Sequence, residues 1–135
     1  MALSRSKNMS RIRSRDTMPE LVVRSVVHRL GFRFRLHRTD LPGTPDLVFP
    51  RLHAVIFVHG CFWHRHRGCK RATTPKTRRS FWIQKFEQNQ ARDERNIRAL
   101  KRLGWRVIVI WECQCRDVAR LERRLRKSLS RPKIV

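Results

Sequence analysis

Residues 43–60 read GTPDLVFPRLHAVIFVHG. Asp46-Leu47-Val48-Phe49 is a short apolar run headed by a carboxylate. Pro50 and Arg51 turn the chain, and Ala54-Val55-Ile56-Phe57-Val58 is a second run with no polar interruption. An apolar run of this length between turn residues predicts a buried strand. Upstream, Leu41-Pro42-Gly43-Thr44-Pro45 is a turn, and Phe32, Phe34 and Leu36 alternate with Arg33, Arg35 and His37, the period of a half-buried strand. Before that, Thr17 is placed to cap a helix with Pro19 in the first turn and Glu20 three residues on. Val22, Val23, Val26, Val27 and Leu30 recur at helical spacing, and Gly31 ends the run. Downstream, a long helix is expected from about Arg78 to Leu103, closed by Gly104. The run Trp105–Trp111 (WRVIVIW) reads as a central strand, and Val118–Leu129 as a basic closing helix. The order helix, three strands, helix, strand, helix predicts one α/β domain, a central mixed sheet flanked by helices.

The chain has 135 residues, enough for one domain with a modest core. Residues 1–16 are polar and basic without apolar period and read as a flexible arm, leaving 17–135 as the domain. Lys and Arg number 33 against 10 Asp and Glu, a formal charge of +23. Such an excess repels itself unless a polyanion neutralises part of it, so nucleic acid is the expected partner. No apolar run approaches the roughly 20 residues that cross a bilayer, and no signal peptide is visible, so the expected location is the cytoplasm. In that compartment four cysteines argue for metal or catalysis rather than disulfides.

Cys61, His64, His66, Cys69, Cys113 and Cys115 are candidate soft ligands. Thiolate with imidazole selects zinc, and a structural site takes four ligands in a tetrahedron. Cys61, His66 and Cys69 supply three from one aperiodic segment, Gly60 to Lys76. A cysteine after the WRVIVIW strand supplies the fourth, and chemistry alone leaves Cys113 and Cys115 both open. Asp46 at a strand start, with polar groups ending the next strand, has the layout of a nuclease site. Magnesium takes one or two carboxylates there, with water and phosphate oxygens as its other ligands. A nearby imidazole can take a proton from water at neutral pH. In the long helix, Asn89, Gln90 and Asp93 fall where the apolar stripe ought to continue, which points to a site.

The run Val58-His59-Gly60-Cys61-Phe62-Trp63-His64-Arg65-His66 closely resembles the signature of the Vsr DNA mismatch endonucleases. Supporting matches are Arg5-Ser6-Lys7-Asn8-Met9, Glu20, Leu41 to Asp46, Phe81-Trp82, Leu103 to Val107 and Trp111-Glu112-Cys113. The resemblance implies a PD-(D/E)XK nuclease core whose second carboxylate and lysine are replaced, with Phe57 and His59 at those positions. It implies that Asp46 and the Val58 backbone carbonyl hold magnesium and that His64 activates water, with His59 and Glu20 assisting. It puts structural zinc on Cys61, His66, Cys69 and Cys113. Phe62, Trp63 and Trp82 are implied to wedge into duplex DNA, and Met9, Lys85 and Asn89 to face a thymine–guanine pair.

The implied reaction is a nick 5′ of the mismatched thymine, starting repair of deaminated 5-methylcytosine. It would be made by a monomer, with mismatch-repair proteins as further partners. The sequence departs from the family pattern twice. Val58 stands where members often carry Thr, and the His66–Cys69 spacing is one residue longer. The competing readings are a nuclease of the same core with another lesion or site, and a zinc-containing nucleic-acid-binding module without catalysis; Asp46 and His64 discriminate against the second.

Overall fold

The computed structural model describes residues 17–130. The N-terminal arm, with Met9, lies outside the described residues. Helix α1 is Met18–Arg29, strands β1 and β2 are Arg35–Leu36 and Leu47–Phe49, and β3 is Ala54–His59. Helix α2 (Arg79–Arg102) leads to β4 (Arg106–Trp111), and after a short 3-10 turn (Glu112–Cys115) helix α3 (Val118–Ser130) closes the fold. The sheet order is β1-β2-β3-β4. The first three strands run antiparallel, and β3 pairs with β4 in parallel from Ala54↔Arg106 to His59↔Trp111. The sheet is therefore mixed, with α2 as the crossover that a parallel pair needs. No helix among the described residues is long and apolar enough to cross a membrane.

Alternate side chains of β2 and β3 serve two cores, as the period of a strand requires. Leu47, Phe49, Ala54 and Ile56 join α1 and α3 on one face through Val23, Val26, Val27, Leu121, Leu125 and Leu129. Val48, Val55 and Phe57 meet Leu100 of α2 on the other face, with Ile97, Trp105 and Val107 packed around them. Leu121, Leu125 and Leu129 repeat every fourth residue and are almost fully buried. Each contributes about 1.5–3 kcal/mol of transfer free energy.

Helix α1 begins as its sequence requires, the Glu20 N–H donating to Thr17 Oγ1 at 3.4 Å. Gly104 follows α2 with φ of +91°, a left-handed conformation open to glycine. The strand expected over 32–36 shrinks to two paired residues, both exposed. Phe32 and Phe34 pack on the core without joining a ladder, and His37 then takes a positive φ of 48°, which breaks the extension.

Candidate active site and metal centre

The ends of β2 and β3, the first turn of α1, the segment 60–78 and the middle of α2 surround a groove of about 1260 Å³. Asp46 enters it immediately before β2. Because β2 lies antiparallel to β3, the Val58 N–H reaches Asp46 Oδ2 at 2.7 Å. Gly43, three residues earlier, has φ of +75°, and a Cβ there would sit 2.9 Å from Asn96 Cβ, so the turn delivering Asp46 needs glycine. Glu20, almost fully buried, faces the same place from α1. His37 Nε2 lies 2.9 Å from Glu20 Oε2 and 4.0 Å from Asp46 Oδ1, and Arg24 pairs with Glu20. Glu20, His37 and Asp46 thus bring ligand atoms within 4.8 Å of one another. Burial pushes the Asp46 carboxyl up to about 8, helped by the Glu20 charge and opposed by the Val58 N–H. A buried carboxylate beside a second one is where a divalent cation lowers the electrostatic cost, so the donor set fits a hard cation.

His59 ends β3, and its ring stacks on that of His64 at 3.9 Å with an interplanar angle of 4°. His64 Nδ1–H donates to Asp93 Oδ2 at 2.5 Å. Burial, with the neighbouring His64 charge, lowers His59 to about 4 against the pull of Asp93. His59 is therefore a neutral imidazole at pH 7. The Asp93 contact occupies one nitrogen of His64 and leaves Nε2 as the nitrogen that can accept a proton.

The segment after β3 folds back through tight turns. The His64 N–H donates to Gly60 O at 3.0 Å, and the His66 N–H to Cys61 O at 3.1 Å. These turns gather Cys61, His66 and Cys69, and the parallel pairing of β3 with β4 brings Cys113 alongside. The four ligand atoms lie within 4.8 Å of one another. His66 Nδ1 is 3.4 Å from Cys113 Sγ and 3.7 Å from Cys61 Sγ, and the His66 ring stacks on Trp111 at 4.3 Å. Burial pushes the Cys61 thiol up to about 12. A bound cation would reverse that, and three thiols with one imidazole fit zinc. Cys115 is outside the cluster, buried with its thiol directed at Pro19 O. Glu112 ties the two strand ends, accepting from the Cys61 N–H at 3.3 Å and pairing with Arg71.

Phe62, Trp63, Trp82 and Phe86 form an aromatic cluster, with centroids 5.1–5.9 Å apart, beside the groove. Phe62, Trp63 and Trp82 are half-buried and take no part in either core. Buried Asn89 donates to Trp63 O at 3.4 Å and accepts from Arg92 at 3.0 Å. Lys85 is exposed on the groove's rim.

The polar interruption of α2 resolves into two residues turned inward, Asn89 and Asp93, while Gln90 faces solvent. Asn89 and Asp93 are four apart and share a helix face, a signal readable in the sequence. His37 was not expected here. Its alternation with Phe34 and Leu36 read only as the polar face of a strand.

The sequence model for "DNA mismatch endonuclease Vsr" matches residues 2–71, just over half of the chain. The chain is 54% identical over 121 residues to the type II nicking enzyme V.XorIIP of Xanthomonas oryzae pv. oryzae, covering 90% of this chain and 88% of that one. It is 45% identical over 118 residues to the DNA mismatch endonuclease Vsr of Escherichia coli K12, covering 87% and 75%. The type II nicking enzyme V.NmeAIP of Neisseria meningitidis is 38% identical over 123 residues, covering 91% and 87%. With more than half of its length matched and its relatives named as endonucleases and nicking enzymes, this chain belongs to the Vsr family and is a DNA-nicking hydrolase.

Proposed function

We propose that the enzyme nicks duplex DNA on the 5′ side of the thymine in a thymine–guanine mismatch, with Mg²⁺ at Asp46 and Zn²⁺ on Cys61, His66, Cys69 and Cys113. The observation that carries this reading is the His64–Asp93 pair, placed with Asp46 in one groove beside half-buried aromatics. In this reading the fold is a PD-(D/E)XK core in which Asp46 supplies the first acid, with Phe57 and His59 where the second carboxylate and lysine would stand. Asp46 and the Val58 carbonyl would hold magnesium, which neutralises charge on the scissile phosphate and acidifies bound water.

The protein's own part is positioning and proton transfer. Asp93 holds the tautomer of His64, whose Nε2 takes a proton from the attacking water. His59, neutral and stacked on His64, restricts that ring to one plane without adding charge. Glu20, with His37 and Arg24 around it, helps fix the Asp46 carboxylate. Zinc, once bound, ties the segment after β3 to the end of β4, holding His64 in place. Phe62, Trp63 and Trp82 enter the duplex where a mismatch makes unstacking cheap. Lys85, Asn89 and Met9 face the mismatched pair, and the basic arm 1–16 clamps the backbone. The enzyme acts as a monomer in the cytoplasm, with mismatch-repair proteins the partners to test.

The test is nicking of end-labelled duplexes carrying each mismatch, with magnesium or with a chelator. Cleavage confined to thymine–guanine duplexes in magnesium supports the reading. The similarity to V.XorIIP favours one other reading, a nicking enzyme with another lesion or site, and the same panel would show it as cleavage of a different duplex.

A further inference from the structure

Arg65 lies between His64 and a candidate metal ligand, yet its side chain is engaged elsewhere. One guanidinium nitrogen donates to Thr73 O at 2.9 Å and to Phe62 O at 3.4 Å. The other donates to Ala72 O at 2.9 Å and to Thr74 Oγ1 at 3.1 Å. The guanidinium carbon stands 4.0 Å from the centroid of the Phe86 ring and 5.9 Å from that of Phe62. Phe62 and Phe86 are themselves in edge contact at 5.1 Å. The Arg65 backbone has φ of 57°, a conformation that a side-chain-bearing residue keeps only where its surroundings hold it.

One planar group thus satisfies three loop carbonyls and a hydroxyl while stacking on α2. Only a guanidinium offers five donors in a plane together with a face to stack. The geometry points to Arg65 as the positioning residue of the aromatic wedge: it holds Phe62 and Trp63 against α2, ordered for the duplex before DNA arrives. Side chains fixed beforehand lose little freedom on binding, so the benefit falls on affinity for a disturbed duplex rather than on the hydrolytic step. This inference rests on the reading of Phe62, Trp63 and Trp82 as duplex-contacting residues.

The test uses the full-length, zinc-loaded protein and its R65A and R65K variants. Zinc content, single-turnover nicking of a thymine–guanine duplex against enzyme concentration, and fluorescence of a 2-aminopurine beside the mismatch are measured, the last in a D46N background that holds the duplex uncut. Both variants are expected to keep their zinc. Their half-saturating concentration should rise about tenfold or more, consistent with lost pre-organisation, while the saturating rate falls less than about threefold. The 2-aminopurine signal should shrink. R65K should not rescue, because an ammonium has neither the fork nor the stacking face.

Wild-type half-saturation and wild-type unstacking in R65A would overturn the inference. So would loss of zinc in both variants, which would make Arg65 a support of the metal segment alone. If only R65A loses zinc, R65K decides by the same two readouts. If the wild-type enzyme binds matched and mismatched duplexes equally and unstacks neither, the mismatch reading fails. A tenfold loss of affinity for the matched duplex in R65A would still uphold the clamp, and unchanged affinity would sink it too.

Discussion

His64 and Asp93 stand 29 residues apart in sequence and 2.5 Å apart in space. The carboxylate holds one imidazole nitrogen as a donor, which leaves the other to accept. His64→Ala is expected to slow nicking by about 10²- to 10⁴-fold, the usual contribution of a positioned general base. Asp93→Asn should cost a comparable factor, since an amide can hold the wrong tautomer. Because the two act as a unit, the double variant His64→Ala/Asp93→Asn should be no more than a few-fold slower than His64→Ala. Single-turnover rates decide this, with zinc content measured alongside. Multiplicative losses would mean that the residues work independently.

With the proposed cation at Asp46, this carboxyl would carry the pH dependence of metal binding. Its folded value is raised to about 8, against about 3.8 for the free side chain, chiefly by burial. The folded, metal-free protein therefore holds a proton that the unfolded chain has released between about pH 4 and pH 8. Its stability should fall as pH rises through that window, and Asp46→Asn should flatten the trend. A divalent cation must displace this proton, so Mg²⁺ affinity should rise about tenfold per pH unit and level off near pH 8. Calorimetric titration at several pH values checks this, and a flat profile would refute it. Asp46→Ala should abolish nicking while leaving duplex binding intact or tighter.

The four-ligand cluster separates the two neighbouring cysteines. Cys113→Ala should lose its zinc and lower the melting temperature by several degrees or more, whereas Cys115→Ala should keep one zinc per chain. Cys115 is a small buried side chain packed against α1, so its truncation should cost only about 1 kcal/mol. Metal analysis and thermal denaturation of both variants provide the check.

Duplex affinity should depend steeply on salt. If roughly six phosphates are contacted by the 33 Lys and Arg, a log–log slope of about −5 or steeper is expected. A nearly flat slope would assign the charge to something other than DNA.

The fold was legible where one physical signal dominated. The apolar runs at 47–49 and 54–58, the Thr17 cap and the stop at Gly104 each reflect a local rule, and the structure obeys them. The strand over 32–36 was overstated because alternation reports which faces are apolar, not whether a partner strand continues alongside. Its neighbour β2 offers only Leu47 and Val48 for pairing. Cys61, His66 and Cys69 were legible as three soft donors in one aperiodic segment, whereas donor chemistry left Cys113 and Cys115 both open. Only the family resemblance named Cys113, which the structure brings beside the other three. His37 and Arg65 were not legible, since each itself takes a left-handed conformation that redirects the chain, and single-residue turns leave little trace in composition.

Glu20 owes its place beside His37 and Asp46 to the packing of helix α1 on the core face away from α2. Helix α1 is clasped by α3 through Leu121, Leu125 and Leu129, and Cys115 reaches Pro19 from the turn before it. A chain cut after residue 115 would keep the cysteine cluster, Asp46 and the His64–Asp93 pair. It would nonetheless strip the cover from Val23, Val26 and Val27 and let Glu20 drift from Asp46. Damage near the C-terminus is therefore expected to silence this enzyme from the opposite side of the sheet, with its reactive groups intact.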